Sequence, residues 1–338
     1  MKKTIINSLK VLLPLGLGLF LVWYYFNSLS DRDLEEISSA FSKANYSWIM
    51  LSFVFALFSH LSRAYRWKFT LEPLNYNPHF LNSFFSVMIA YLVNLAVPRL
   101  GELSRCGVMA RYEDMSFQKL LGTVIAERMA DLIILLIVTT TVIFLQYEVI
   151  KDLVNEVFMA MGSKVPSIWT LVILGVIGLV GILFVIRLLS SNVSNPLLDK
   201  LRSFLRGLGE GLQAIYKMDK KWPFIFHTIF IWVMYLCMYY ICFFSLPETS
   251  NVPWGGVLTS FVLGGFTIVL TNGGIGAYPL AVMGVLLLYG VDKNIGGAFG
   301  WIVWSAQTVL LIVFGALSFA LMPLYNSILK KRSNEQLS

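Results

Sequence analysis

Residues 255–290 read GGVLTSFVLGGFTIVLTNGGIGAYPLAVMGVLLLYG. The run is too long for one helix and is broken by Thr271-Asn272-Gly273-Gly274-Ile275-Gly276, where three glycines end any helix and leave backbone amides free. The halves on either side, Gly255 to Leu270 and Tyr278 to Gly290, would be about 24 and about 20 Å long, against a hydrocarbon core of about 30 Å. Two half-helices predict a hairpin that enters a bilayer and returns to the same face. A second stretch of this kind is Leu81 to Val97, which Pro98 ends and to which Gly101 gives a tight bend.

The rest of the chain agrees with a membrane reading. Of 338 residues, 57% are hydrophobic and 13% charged, and the mean hydropathy is +0.72, whereas a soluble domain carries about 25% charge. Unbroken apolar runs such as Leu132 to Val138 and Phe261 to Val269 exclude an outer-membrane barrel, whose strands alternate apolar and polar. The formal charge of +7 comes without a dense basic run among exposed aromatics, so no nucleic-acid partner is expected. Cys106, Cys237 and Cys242 form no CxxC and read as packing residues. His60, His79 and His227 lack metal-ligand spacing. No cofactor is expected, and there is no Walker A motif.

Six full crossings are predicted: Val11 to Phe26, Trp48 to Phe69, Leu120 to Leu145, Ile168 to Leu189, Pro223 to Leu246 and Gly296 to Leu321. Segments 1–10, 60–79, 98–119, 187–221 and 326–338 carry net charges of +3, +2, +1, +4 and +2. Segments 27–47, 146–167, 246–253 and 291–294 carry −2, −1, −1 and zero. With both short stretches re-entrant, every basic segment is cytoplasmic, as are both termini, and every acidic or neutral one external. If Leu81 to Val97 crossed, the rule would be broken twice.

The expected fold is therefore all-α, a polytopic integral membrane protein with two re-entrant helical hairpins in an inverted-topology repeat. Residues 1–338 form one transmembrane domain. Residues 1–47 are a first span and an external amphipathic helix, Asp31 to Ala44, with Leu34, Ile37 and Phe41 on its apolar face. Residues 48–145 are the first half-repeat and 146–222 a connecting span with a cytoplasmic amphipathic helix, Asn195 to Met218. Residues 223–325 are the second half-repeat and 326–338 a tail.

Charges in apolar segments mark the candidate site, because each costs several kcal/mol, roughly 2.5 to 3.5 at mid-membrane, unless it meets protein or water. Glu127 and Asp131 share a face of the Leu120 to Leu145 span, and Arg128 reaches Asp131 at i,i+3. The first hairpin carries Asn94, Arg99, Glu102 and Arg105 around its bend, the arginines offering planar donors to a phosphate. Arg99, Glu102, Arg105, Glu127, Arg128 and Asp131 are expected to form one cluster; a purely structural ion-pair set is the alternative. Arg63 and Arg66, at the end of a span, suit the same phosphate or serve as solvated anchors. Asn272, Gly273, Gly274 and Gly276 supply either an anion nest or close helix packing.

Arg63-Ala64-Tyr65-Arg66-Trp67, Asn94 with Pro98-Arg99-Leu100-Gly101-Glu102 and Arg105, Glu127-Arg128 with Asp131, and Gly273-Gly274-Ile275-Gly276 together resemble the flippase-like family named after the transmembrane region of lysylphosphatidylglycerol synthetase. The resemblance implies a multi-pass protein of the bacterial inner membrane that moves lipids or lipid-linked molecules between leaflets, with the charged residues among these lining the path. The chain stops thirteen residues after Tyr325, so the flippase part alone is expected, without the aminoacyl transferase domain. Relatives often carry an acidic residue shortly after the second glycine motif, where this chain reads Ala277-Tyr278-Pro279-Leu280.

The expected function is a lipid transporter without ATP, not an enzyme, whose partners are membrane lipids with an anionic headgroup. A membrane-embedded lipid-modifying transferase and a non-transporting partner of a lipid-modifying enzyme are the alternatives. A homodimer or a separate lipid-modifying enzyme are the protein partners considered.

Overall fold

The computed structural model describes residues 19–147, 149, 216 and 218–337, apart from 21, 28 and 272. The spans Val11 to Phe26 (but for helical residues 19–20 and 22–26) and Ile168 to Leu189 lie outside the described residues, as does Asn195 to Met218 but for its last few.

The described residues are helical: α1 Asp31–Lys43, α2 Tyr46–Leu71, α3 Phe80–Ala96, α4 Leu100–Tyr112, α5 Phe117–Leu145, α6 Lys221–Cys242, α7 Trp254–Leu270, α8 Ala277–Leu288 and α9 Lys293–Leu337. Among them α2, α5, α6 and α9 are long and apolar enough to cross a membrane, whereas α3, α7 and α8 are shorter apolar helices. Helix α9 continues well past the expected end at Leu321 and carries Pro323 inside it. At 1.5 Å per residue it is about 67 Å long, more than twice the hydrocarbon core.

Helices α2 and α6 lie against each other along their length in opposite directions. Asn45 N–H donates to the Ser245 carbonyl at one end (2.8 Å), and Lys220 meets Glu72 at the other (2.9 Å). Between these ends sit two opposed hairpins. Helix α3 packs on α4, and its start is tied to the residue that ends α4: the His79 N–H donates to Glu113 Oε1 at 3.0 Å, and Asn82, fully buried, binds Glu113 and Asn326 of α9. Both feet of this hairpin stand at the Leu71 end. Helix α7 packs on α8 with its feet at the Tyr46 end, where Tyr289 donates to Gln146 Oε1 at 2.6 Å and a Cβ at Gly255 would meet the same Gln146 side chain. The two tips meet within the bundle: a Cβ at Gly273 would lie 3.7 Å from Leu95, and Trp304 Nε1 donates to the Gly273 carbonyl at 2.8 Å.

The packing repeats across the halves. Helix α4 packs on α5 as α8 does on α9, and α3 crosses to α9 as α7 crosses to α5. The chemistry does not repeat. Around α6 to α9 the core is apolar and aromatic, with Tyr239, Phe243, Tyr278, Phe299 and Ile302 buried, whereas α2 buries Ser59, His60, Ser62, Arg63 and Arg66.

Helix α1 starts at a capping box: Ser30 Oγ accepts from the Asp33 amide, and Asp33 accepts from the Ser30 amide. Asn294 donates to both Asp33 and Glu36, each at 2.8 Å, tying α1 to the start of α9. These bonds set the rotation of α1, so Ile37 and Ala40 are buried and Leu34, expected on the apolar face, is exposed. The Ser30 hydroxyl, then the Ser30 amide and Asn294, hold the Asp33 carboxyl down at about 2. A depressed carboxyl stabilises the folded form above its unfolded value of about 3.9 and ceases to as pH falls through the folded value. Docking of α1 on α9 is thus expected to be unchanged from neutral pH to about 4 and to loosen between about 4 and about 2. Hydrogen exchange at Ile37 to Ala40 checks this, and Asp33→Asn should exchange faster already at neutral pH.

Candidate substrate site

Helix α2 places Arg63 and Arg66 three residues apart on one face, and α5 presents Glu127 and Asp131 four residues apart on the facing side. Arg63 Nη1 donates to Asp131 Oδ2 at 2.7 Å and Arg66 Nη1 to Asp131 Oδ1 at 2.8 Å, so one carboxylate closes on two guanidiniums. Helix α4 brings Arg105, whose Nη1 donates to Glu127 Oε2 at 2.7 Å, and Arg66 Nε stands 3.7 Å from Glu127 Oε1. Arg128 lies 3.6 Å from Glu102 and 3.7 Å from Asp131.

Arg66 and Glu127 are 0% exposed, Arg105 2% and Arg63 3%. Charges so far from water persist only when paired and hydrogen-bonded. Apolar and hydroxyl groups complete the setting. Arg105 lies over the Trp67 ring, 3.5 Å from its centroid, and Trp67 Nε1 donates to Thr123 at 2.9 Å. Arg66 also donates to Thr228 Oγ1 at 3.0 Å. Arg63 Nη2 is 3.4 Å from the Tyr235 hydroxyl, which contacts the Tyr91 hydroxyl at 3.2 Å.

A cleft opens beside this network, lined by Arg63, Tyr91, Asn94, Glu102, Arg105 and Arg128 together with Val87 and Ala90. It leaves about 10 Å³ for the centre of a water molecule, room for about one water. Asn94 does not face it freely, since its Oδ1 accepts from the Gly101 amide at 2.7 Å and closes the hairpin. Arg105 Nε and Nη2 and Arg63 Nε have no hydrogen-bond partner among the described residues. Four guanidiniums face three carboxylates, a formal excess of one positive charge, while Glu102 Oε2 and Glu127 Oε1 also lack a hydrogen-bond partner among the described residues.

Of the residues singled out in the sequence, Glu102, Arg105, Glu127, Arg128 and Asp131 come together. Arg63 and Arg66 join them instead of standing at a solvated end of a span, because the face of α2 that carries them is the one turned to Asp131. Arg99 does not join: it is exposed at the turn between α3 and α4, with a positive φ of 66°. In the second hairpin, Gly273, Gly274 and Gly276 have positive φ. Asn272 lies outside the described residues. The amides of Gly273 and Gly274 are taken by the carbonyl and hydroxyl of Thr271, at 3.0 and 3.1 Å, so the turn satisfies itself and does not present them as a nest. Sequence reasoning missed Trp67, Tyr91, Thr123, Thr228 and Tyr235. Their only signal was a hydroxyl or indole N–H within an apolar segment that needs a partner.

The family model of the lysylphosphatidylglycerol synthase TM region matches residues 11–315. The chain is also 26% identical over 249 residues to a UPF0104 membrane protein of the archaeon Methanocaldococcus jannaschii, covering 72% of this chain and 99% of that protein. No solved structure matches. With 305 consecutive residues inside the match, including every charged residue of the cluster and both hairpins, this chain belongs to the membrane-protein family of the lysylphosphatidylglycerol synthase transmembrane region.

Proposed function

We propose that the protein moves lipids with an anionic headgroup between the leaflets of a bacterial inner membrane, without ATP, through the cleft bounded by Arg63, Arg105 and Arg128. The observation that carries this reading is a nearly dry site with surplus guanidinium donors, placed inside a bundle whose outer surface is apolar. Such a site recognises phosphate strongly, because water competes poorly there. Acyl chains would stay in the bilayer beside the hairpin while the headgroup enters.

In this reading both hairpins are re-entrant, α3–α4 from the cytoplasm and α7–α8 from outside, in an inverted-topology repeat. The feet of α3–α4 share the Leu71 end with the basic segments, which by the positive-inside rule is cytoplasmic, and both termini are cytoplasmic as well. The space for about one water means that a headgroup enters only after hairpin and spans move apart. The buried aromatic residues around α6 to α9 support a reading in which the opposite half is closed in this conformation.

Reconstitution into liposomes with a fluorescent anionic phospholipid tests the proposal. Leaflet exchange faster than in protein-free liposomes is expected; a modified lipid product would move the site to a transferase, and no exchange would overturn it. Arg105→Ala, in folded protein, is expected to slow exchange on the order of tenfold or more, the equivalent of one charge-assisted contact to phosphate. Arg105→Lys should restore part of the rate, since it keeps the charge and loses the planar fork. Equal rates for wild type and Arg105→Ala would remove Arg105 from the path.

A further inference from the structure

Arg99 is a charge that the fold does not repay. It sits at the turn between α3 and α4 with φ 66°, a left-handed conformation in which glycine is the unstrained residue. Its side chain is exposed, and no hydrogen bond, ion pair or ring contact holds it among the described residues. It does not line the cleft, and neighbouring Glu102 is engaged by Arg128 instead.

Its surroundings are apolar. Ala96, Leu100 and Leu103 are exposed around it, and the tip of the second hairpin, which meets this one at Leu95 and Gly273, exposes Ile268, Val269 and Leu270. The 17 residues of α3 separate this turn from the feet of the hairpin, about 25 Å at 1.5 Å per residue. Against a core of about 30 Å, that places the turn far from the face at the feet and about 5 Å from the opposite one, at the level of lipid headgroups. Backbone strain and an exposed guanidinium with no partner among the described residues coincide at one residue on an apolar surface, which leaves the charge open to a ligand.

We propose that Arg99 is a second binding station, holding the phosphate of an anionic lipid on the outer surface of the hairpin tip, separate from the cleft of Arg63, Arg105 and Arg128. The apolar side chains around it take acyl chain, which makes a lipid and not free phosphate the ligand. The inference rests on the lipid-transport reading and refines it: the headgroup passes between two guanidinium stations on opposite sides of one hairpin, so no single site holds it tightly enough to stop.

Arg99→Gly separates ligand binding from architecture, because glycine suits φ 66° and removes the charge. Purified protein, stripped of lipid and reloaded with phosphatidylglycerol, is examined by native mass spectrometry, thermal unfolding and liposome exchange. Wild type is expected to retain one more lipid than Arg99→Gly, with Arg99→Lys between them. Before reloading, lipid-stripped Arg99→Gly should unfold at an equal or higher temperature than lipid-stripped wild type, since the strain is relieved and no bound lipid stabilises either, and in liposomes it should exchange lipid several-fold more slowly. Inorganic phosphate in excess should leave the lipid count unchanged. The proposal is overturned if Arg99→Gly retains as many lipids as wild type, if inorganic phosphate displaces the additional lipid, or if lipid-stripped Arg99→Gly unfolds at a lower temperature than lipid-stripped wild type, which would give Arg99 a structural role. Should wild type fail to exchange lipids in liposomes while the difference of one lipid holds, the transport reading falls and the station at Arg99 stands.

Discussion

Asp131→Ala is expected to destabilise the protein by on the order of 3–5 kcal/mol, the cost of breaking a buried ion pair from one side. The Asp131 carboxylate accepts from Arg63 and Arg66 at 2.7 and 2.8 Å, and those side chains are 3% and 0% exposed. Without it, Arg63 keeps, among the described residues, only the Tyr235 hydroxyl at 3.4 Å. Arg66 keeps Thr228 and a share of Glu127, which already accepts from Arg105. Arg66, fully buried, has no route to water, and Arg63 reaches only the cleft, with room for about one water. Asp131→Asn should be milder, since it retains one accepting oxygen and loses the charge. Unfolding of purified protein in mixed detergent micelles reads the difference. The double substitution Asp131→Ala, Arg63→Met should recover part of the loss, because it removes one of the two orphaned charges together with its partner. Equal unfolding midpoints for wild type and Asp131→Ala would mean that water or lipid already solvates this cluster.

The elements were legible in the sequence because their limits are set locally. Pro98 and the glycines around Ile275 break apolar runs wherever the chain goes, and the spans beginning near Trp48, Leu120 and Pro223 are found within a few residues of α2, α5 and α6. The cluster was legible on α4 and α5, where charges follow one apolar run at its bend and interrupt another. Its other half was not. Arg63 and Arg66 stand near the end of an apolar run, a place where arginine anchors many helices. Only the arrival of Asp131, 68 and 65 residues away, decides which face of α2 is buried. Thr228 and Tyr235 lie farther still, at 162 and 172 residues, and hydroxyls in a span announce nothing until a partner is known. Arg99 misled in the other direction. Spacing puts it beside Glu102 and Arg105, but its left-handed backbone directs it away from them.

Gly101→Ala is expected to damage both stability and transport, whereas Gly107→Ala on the same helix should do neither. A Cβ at Gly101 would fall on the Ala90 carbonyl oxygen and 2.6 Å from Asn94 Cγ. The Asn94 side chain could swing aside, at the expense of the bond it accepts from the Gly101 amide. The Ala90 carbonyl is helix backbone and cannot, so α3 and α4 must move apart. Overpacking of this kind costs typically about 1–3 kcal/mol, occasionally more, and here the displacement passes directly to the site. Glu102 and Arg105 follow on the same helix one and four residues later, and their partners Arg128 and Glu127 belong to α5. A shift of about 1 Å would stretch the 2.7 Å contact of Arg105 to Glu127 beyond a good hydrogen bond. A methyl group on Gly107 would have nothing within 4 Å of it, so alanine there should be neutral or stabilise by up to about 1 kcal/mol through helix propensity. Thermal unfolding and lipid exchange measured on both variants decide the matter. If Gly101→Ala and Gly107→Ala agree within about 0.5 kcal/mol, the scale of an ordinary surface change, and exchange lipid at equal rates, the close approach at Ala90 does not hold the hairpin shut. In the proposed transport, the opening for a headgroup would then have to lie between the hairpin and α2 instead of between its own two arms.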